Sequence, residues 1–203
     1  MTKIKICGLT RPEDIIIVNN LRPDYIGFVL AESRRKVMPN QALSLRNALD
    51  KNIIPVGVFV NEPIENIIAL VQNGVIDIIQ LHGEENENYI EKIKLSTSAP
   101  IIKAISVQKK DDVQKWNHTA ADYLLLDHKG GGTGIAFDWN LIGETTKPYF
   151  LAGGLNPQNV SQAIAKTAPY AVDVSTGVEV SSHKCPNKIR DFIRAVTRDN
   201  NKL

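Results

Sequence analysis

Cysteine is scarce in this chain: Cys7 and Cys185 are the only two among 203 residues. They lie near opposite ends, and no secretory leader is recognised, so they read as thiols and not as a structural disulfide. An excess of one charge is also missing. The formal net charge is +2, which excludes a general nucleic-acid binder but leaves local basic groups able to select an anionic small molecule. No apolar run approaches the roughly 20 residues that cross a bilayer, so no membrane is expected. "MTKIKICGLT" enters a strand pattern at once, with neither a long apolar core nor a small-residue cleavage site. A signal peptide is therefore not expected, and the expected location is the cytoplasm. No linker, low-complexity tract or polar insertion interrupts the chain, so residues 1–203 read as a single domain. His118, His128 and His183 show no metal-ligand spacing with cysteine or aspartate, which predicts no metal. "KGGGTG" (Lys129 to Gly134) lacks the ordered spacing of a Walker motif and reads as a flexible loop that covers a substrate.

What is present is ordinary globular composition, 43% hydrophobic and 23% charged, at a length that buries a real core. Eight β-branched runs read as strands: "KIKIC", "DYIGFVL", "IPVGVFV", "IDIIQLH", "IIKAIS", "DYLLLD", "YFLAG" and "AVDVS". Helical spacing falls between them, as at Ile64, Ile67, Ile68 and Val71, and again at Ile189, Phe192, Ile193 and Val196. Thr10 and Glu13 form a capping-box pattern around Pro12, and Asn156 before Pro157 reads as a cap followed by the first helical residue. Each strand is expected to be followed by a helix. Runs apolar on both faces indicate a parallel sheet covered by helices. About eight such units favour a compact (β/α)₈ TIM barrel over a doubly wound open sheet, the other arrangement the pattern allows.

In such a barrel the reactive groups project from the C-terminal ends of the strands. Cys7 ends the first run, His82 the fourth and Asp127 the sixth; Gly153 and Gly154 end the seventh, and Ser175, Thr176 and Gly177 follow the eighth. In "LAGGLNPQNV" two glycines precede a capped helix, so free N–H groups and a positive helix end can meet an anion. "VSTGVE" adds hydroxyls and a glycine at the place where this fold often binds phosphate. Tight turns alone would also explain either stretch, but the two together favour a phosphorylated small molecule. Cys7 by position is either a small buried hydrophobe or a reagent, and Asp127 either caps its loop or does chemistry.

"KICGLT", "GFVLAESRRKV", "VGVFVN", "QLHG", "LLLD" with "GGTGIAFDW", "LAGGLNPQNV" and "AVDVSTGVE" resemble, in order and character, the phosphoribosylanthranilate isomerases of tryptophan biosynthesis. The resemblance runs from Lys3 to Glu179. It implies an Amadori rearrangement without redox chemistry or a cofactor, in which one acid opens the ribose ring and one base takes the C2 proton. It assigns Cys7 as base and Asp127 as acid, and His82 as a hydrogen-bonding rim residue. The alternation Ser33, Arg35, Val37 assigns the anthranilate carboxylate to Arg35 and not to its neighbour Arg34. Asp173 falls to the ribose hydroxyls or the bridging amine, and the phosphate to Gly153, Gly154, Ser175, Thr176 and Gly177. The oligomeric state is left as monomer or homodimer.

The chain departs from the family pattern in several places. The segment after Asp127 is short, Ile135 takes a commonly polar position, and Thr176 stands for a common serine. "VSSHKCPNKI" lacks the usual Pro-Gly and Lys-Asp, and its Cys185 reads as incidental. Two other readings share the anion site. A related phosphosugar barrel enzyme would need metal-binding histidines and carboxylates, or a lysine-rich site, and neither is assembled here. A silent phosphate-ligand sensor would have no use for Cys7 and Asp127.

Overall fold

The computed structural model describes residues 1–128 and 138–200, apart from the side chains of 198–200. All eight sequence-predicted strands form: β1 (Lys3–Cys7), β2 (Tyr25–Val29), β3 (Ile54–Phe59), β4 (Ile78–Leu81), β5 (Ile101–Ser106), β6 (Tyr123–Asp127), β7 (Tyr149–Leu151) and β8 (Ala171–Val174). Each pairs in parallel with the next, and β1 with β8, which closes the barrel. The open sheet is thereby excluded. The helices α1 (Pro12–Leu21), α2 (Pro39–Asn47), α3 (Ile64–Gln72), α4 (Glu87–Ser96), α5 (Asp111–Gln114), α6 (Val160–Thr167) and α7 (Pro186–Asn200) follow in order. Their apolar faces, including Ile67 and Leu70 of α3 and Ile189, Phe192 and Val196 of α7, pack on the outward strand residues.

Alternation along the strands fills the inside in layers. Toward the strand starts, Tyr25, Tyr123, Phe150 and Tyr170 form an edge-on aromatic plug, with Lys3 Nζ 5.5 Å from the Tyr25 ring centroid. Val56, Ile78, Ile102, Leu125 and Ala171 join this inner cluster. Two residues further along the same strands the lining turns polar: Lys5, Gln80, Asp127 and Asp173. A side-chain period of 2 makes that polar layer a direct consequence of the sequence pattern.

Three local expectations are corrected. The α1 capping box is not Thr10 with Glu13: Arg11 holds the cap position, and Asp14 Oδ2 accepts from the amides of Thr10 at 3.0 Å and Arg11 at 3.1 Å. Pro12 takes the first helical position, which moves the whole box one residue along. Asn156 Oδ1 does accept from the Gln158 and Asn159 amides as a cap would, but the helix proper begins at Val160. Finally, no α-helix follows β6 before β7 begins among the described residues. Among the described residues only a 3₁₀ turn at Trp139–Leu141 lies between β6 and β7. The expected covering loop, Lys129 to Gly134, and Ile135 lie outside the described residues.

After β8 the chain makes a 3₁₀ turn, Thr176–Val178, and then a hairpin of β9 (Glu179–Val180) and β10 (His183–Lys184). Its two loop residues, Ser181 and Ser182, have φ of 48° and 65°, as a tight hairpin of the I′ kind requires. This hairpin sets Lys184 directly across from Glu179.

Candidate active site

Cys7 ends β1 opposite Gly27 of β2. A Cβ at Gly27 would stand 2.6 Å from Cys7 Sγ, so only glycine leaves room for the thiol. Burial pushes the thiol pKa up, while the ammonium groups of Lys5 and Lys184 pull against it. The resting group is therefore a protonated thiol with two cations near enough to favour its loss of the proton.

Asp127 ends β6 and is 9% exposed. Its carboxyl is raised to about 6, chiefly by burial and further by Asp173, against a hydrogen bond from the His128 amide. That amide lies 2.7 Å from Oδ1. His82 Nε2 stands 3.7 Å from Oδ2, and its Nδ1 meets the Gln80 side-chain amide at 2.9 Å. Burial, Lys5 and Lys103 push the His82 pKa down, so the His82–Asp127 contact at neutral pH involves a neutral imidazole and is not an ion pair. The expected rim role of His82 is thus made specific.

Lys5 and Asp173 lie in the polar layer of the barrel. Lys5 Nζ donates to Asp173 Oδ1 at 3.1 Å, with the lysine side chain fully buried. Burial would lower the Lys5 pKa, but Asp173 and Cys7 together hold it up. Asp173 opposes ionisation of both Cys7 and Asp127, and Lys5 favours it in both. One buried ion pair thus acts on both sequence-predicted proton carriers.

Asp127, Asp173, Gly153, Gly154, Ser175, Thr176 and Gly177 line one cavity of about 50 Å³. Gly153 and Gly154 have φ of 78° and 63°, the left-handed region. A Cβ at Gly177 would fall 2.0 Å from the Leu155 carbonyl oxygen, so the two glycine loops touch. The hydroxyl of Ser175 is already spent, donating to the Cys7 carbonyl at 3.0 Å. A larger cavity of about 670 Å³ lies beside α5 and contains none of the sequence-predicted residues. Its buried ion pair, Lys103 with Glu85 at 2.8 Å, is internally satisfied: Glu85 also accepts from the Asn61 and Gly83 amides. Most of the sequence-predicted residues gather at the smaller cavity.

Arg35 reaches this rim from the β2–α2 loop and passes over Gly8, where a Cβ would lie 2.4 Å from its Cδ. Its Nη2 donates to Thr176 Oγ1 at 2.9 Å. Its Nε and Nη2 also grip Glu179 at 2.7 and 2.9 Å, a partner the sequence reading did not include.

A family model described as N-(5'-phosphoribosyl)anthranilate isomerase matches residues 4–195. The chain belongs to the phosphoribosylanthranilate isomerase family. A relative from Endomicrobium trichonymphae bearing that enzyme's name is 46% identical over 198 residues, covering 96% of this chain and 98% of its own. The solved isomerase of Thermotoga maritima superposes with a TM-score of 0.88 at 34% identity, covering 98% of this chain and 100% of that one. A further isomerase structure, in complex with reduced 1-(o-carboxyphenylamino)-1-deoxyribulose 5-phosphate, gives 0.85 at 34% identity with the same coverage. The phosphoribosylanthranilate isomerase barrel therefore extends over nearly all of this chain. The nine catalytic and substrate-binding residues expected from the sequence lie at the ends of β1, β6 and β8 or in the loops that follow β2, β7 and β8, and His82 lies just past β4. Lys5, Gln80, Glu179 and Lys184 were missed. Lys5 carried a signal, since a residue two before Cys7 in a strand must share its face; Glu179 and Lys184 carried none outside the hairpin that pairs them.

Proposed function

We infer that this chain converts N-(5-phosphoribosyl)anthranilate into 1-(2-carboxyphenylamino)-1-deoxyribulose 5-phosphate, with Asp127 as acid and Cys7 as base. The observation that carries this reading is the Asp127 carboxyl, held at about 6 on the wall of a cavity shared with two glycine loops. An acid of that strength keeps a useful protonated fraction near neutrality and still gives its proton up. It protonates the ring oxygen; the C1–O bond breaks, and the nitrogen lone pair forms the C1=N bond. Cys7 first gives up its thiol proton to solvent, with Lys5 and Lys184 favouring the anion; the thiolate then takes the C2 proton, the C2–H electron pair moves to C1=C2, the C1=N pair returns to nitrogen and nitrogen is neutralised. The resulting enolamine tautomerises to the ketone, with no redox step or cofactor required.

The phosphate fits the small cavity, where the backbone at Gly153 and Gly154 permits close approach. Arg35 takes the anthranilate carboxylate, and Asp173 meets the ribose hydroxyls or the bridging amine. The partner is this phosphorylated small molecule, met in the cytoplasm; sedimentation distinguishes a monomer from a homodimer. The direct test follows the fluorescence loss of freshly made phosphoribosylanthranilate in excess EDTA with no nucleotide added. Turnover is expected under those conditions. Turnover that appears only when a divalent metal is restored would overturn the reading.

A further inference from the structure

Glu179 gathers three cations. Its Oε1 accepts from Arg35 Nε at 2.7 Å and Lys184 Nζ at 2.7 Å, and its Oε2 from Arg35 Nη2 at 2.9 Å and Arg34 Nη2 at 3.0 Å. Only one of these cations comes from solvent-facing chain: the Arg34 side chain is 51% exposed against 13% for Arg35 and 2% for Lys184. A carboxylate has about four acceptor sites, and here all are used. The group is therefore fixed from both sides, and Arg35 and Lys184 hold its pKa low against burial. Lys184 also donates to the Ser175 carbonyl at 3.2 Å, which ties the hairpin to the loop beside Cys7.

Arg35 meets Glu179 through the Nε–Nη2 edge of its planar fork. The second Nη2 hydrogen goes to Thr176. Among the described residues Nη1 is the remaining donor, and the cluster as a whole carries more positive than negative charge. A guanidinium held along one edge has lost its rotational freedom before a ligand arrives, which is the condition for selective recognition of a planar carboxylate.

We propose that Glu179 is a positioning residue for substrate selection: it holds Arg35 by one edge so that Nη1 is presented to the anthranilate carboxylate. Lys184, from the hairpin, holds Glu179 in turn. The proposal rests on the assignment of the carboxylate to Arg35. The opposite role is an internal anion that occupies Arg35 and must be displaced, and this makes the contrary prediction.

The experiment compares inhibition constants of two stable ligands, the reduced product and its counterpart without the ring carboxylate. Wild type should prefer the carboxylated ligand. Glu179→Gln should lose about tenfold to a hundredfold of that preference, as expected for a charge-assisted contact losing its geometry. Glu179→Asp, which keeps the charge and shortens the reach, should fall between and guards against a glutamine variant that does not fold. An undiminished preference in both variants would overturn the proposal, and a raised one would establish the competing anion instead. Arg35→Ala separates the two levels of the argument. If it retains the preference, the Arg35 assignment itself fails; if it loses the preference while both Glu179 variants keep it, only the role of Glu179 fails.

Discussion

Lys5 Nζ and Asp173 Oδ1 stand 3.1 Å apart inside the barrel, the lysine side chain fully buried and the aspartate 10% exposed. Their positions face each other in the β1–β8 register. Removing one partner strands a charge, which typically costs about 3–5 kcal/mol, whereas removing both leaves no charge behind. Lys5→Met should therefore destabilise strongly in urea unfolding, and Lys5→Met with Asp173→Asn should recover most of the loss. A double variant as unstable as the single one would show that the lysine matters for packing and not as a counter-charge.

Asp127 carries a cost that its position explains. Its folded pKa of about 6 lies above the ordinary aspartate value, so between about pH 4 and 6 the unfolded chain binds fewer protons than the folded one. Stability contributed by this group is full below pH 4, falls as pH rises to 6 and stays lost above it. Two pKa units correspond to about 3 kcal/mol. Asp127→Asn should then melt higher than wild type at pH 8 and gain nothing at pH 4, while losing turnover at both. An equal change in melting temperature at the two pH values would contradict the raised pKa.

The touching glycine loops set limits of two kinds. At Gly177 an added methyl would meet the Leu155 carbonyl oxygen at 2.0 Å, backbone that cannot step aside. Gly177→Ala should separate the loops and weaken both fold and phosphate binding. At Gly154 the obstacle is the positive φ of 63°, for which a non-glycine residue is disfavoured by about 1 kcal/mol or more. Gly154→Val should fold less stably and bind a phosphate-bearing substrate analogue at least tenfold more weakly; calorimetry at matched folded fraction checks this, and unchanged affinity would move the phosphate elsewhere.

Arg34 and Arg35 both donate to Glu179 but differ in exposure. An exposed ion pair is worth about 0–1 kcal/mol, whereas a buried charge-assisted contact to a ligand is worth about 1.5–3. Arg35→Ala should raise KM at least tenfold and Arg34→Ala no more than about threefold. The reverse order, measured in steady-state kinetics, would mean that the substrate carboxylate meets the other arginine.

The strands were legible because a parallel barrel buries both faces, which gives "YLLLD" and "IPVGVF" apolar runs without solvent-facing gaps. Capping was legible to within one residue: Pro12 showed where α1 starts, but the oxygen that closes the box belongs to Asp14 and not Glu13. Among the described residues between β6 and β7, the strand-then-helix rule yields only a 3₁₀ turn, Trp139–Leu141. At the site, residues on strand ends could be placed from sequence since their register is fixed by the barrel. Glu179 and Lys184 could not, because their meeting depends on a two-residue turn of serines at positive φ, a conformation serine gives no warning of. The electrostatics were hidden for a related reason: nothing in "KIKIC" says that Lys5 faces Asp173, 168 residues away.

The central claim is that Cys7 and Asp127 divide two proton transfers, and Cys7→Ser tests it most directly when kcat and melting temperature are measured on the same preparation. General bases contribute about 10² to 10⁴ in rate, so the account predicts a fall in kcat of at least a hundredfold in a protein that still melts cooperatively and binds the reduced product. A variant that melts lower but keeps more than about half of the wild-type kcat per folded molecule would make Cys7 a buried structural residue, and the mechanism would be wrong.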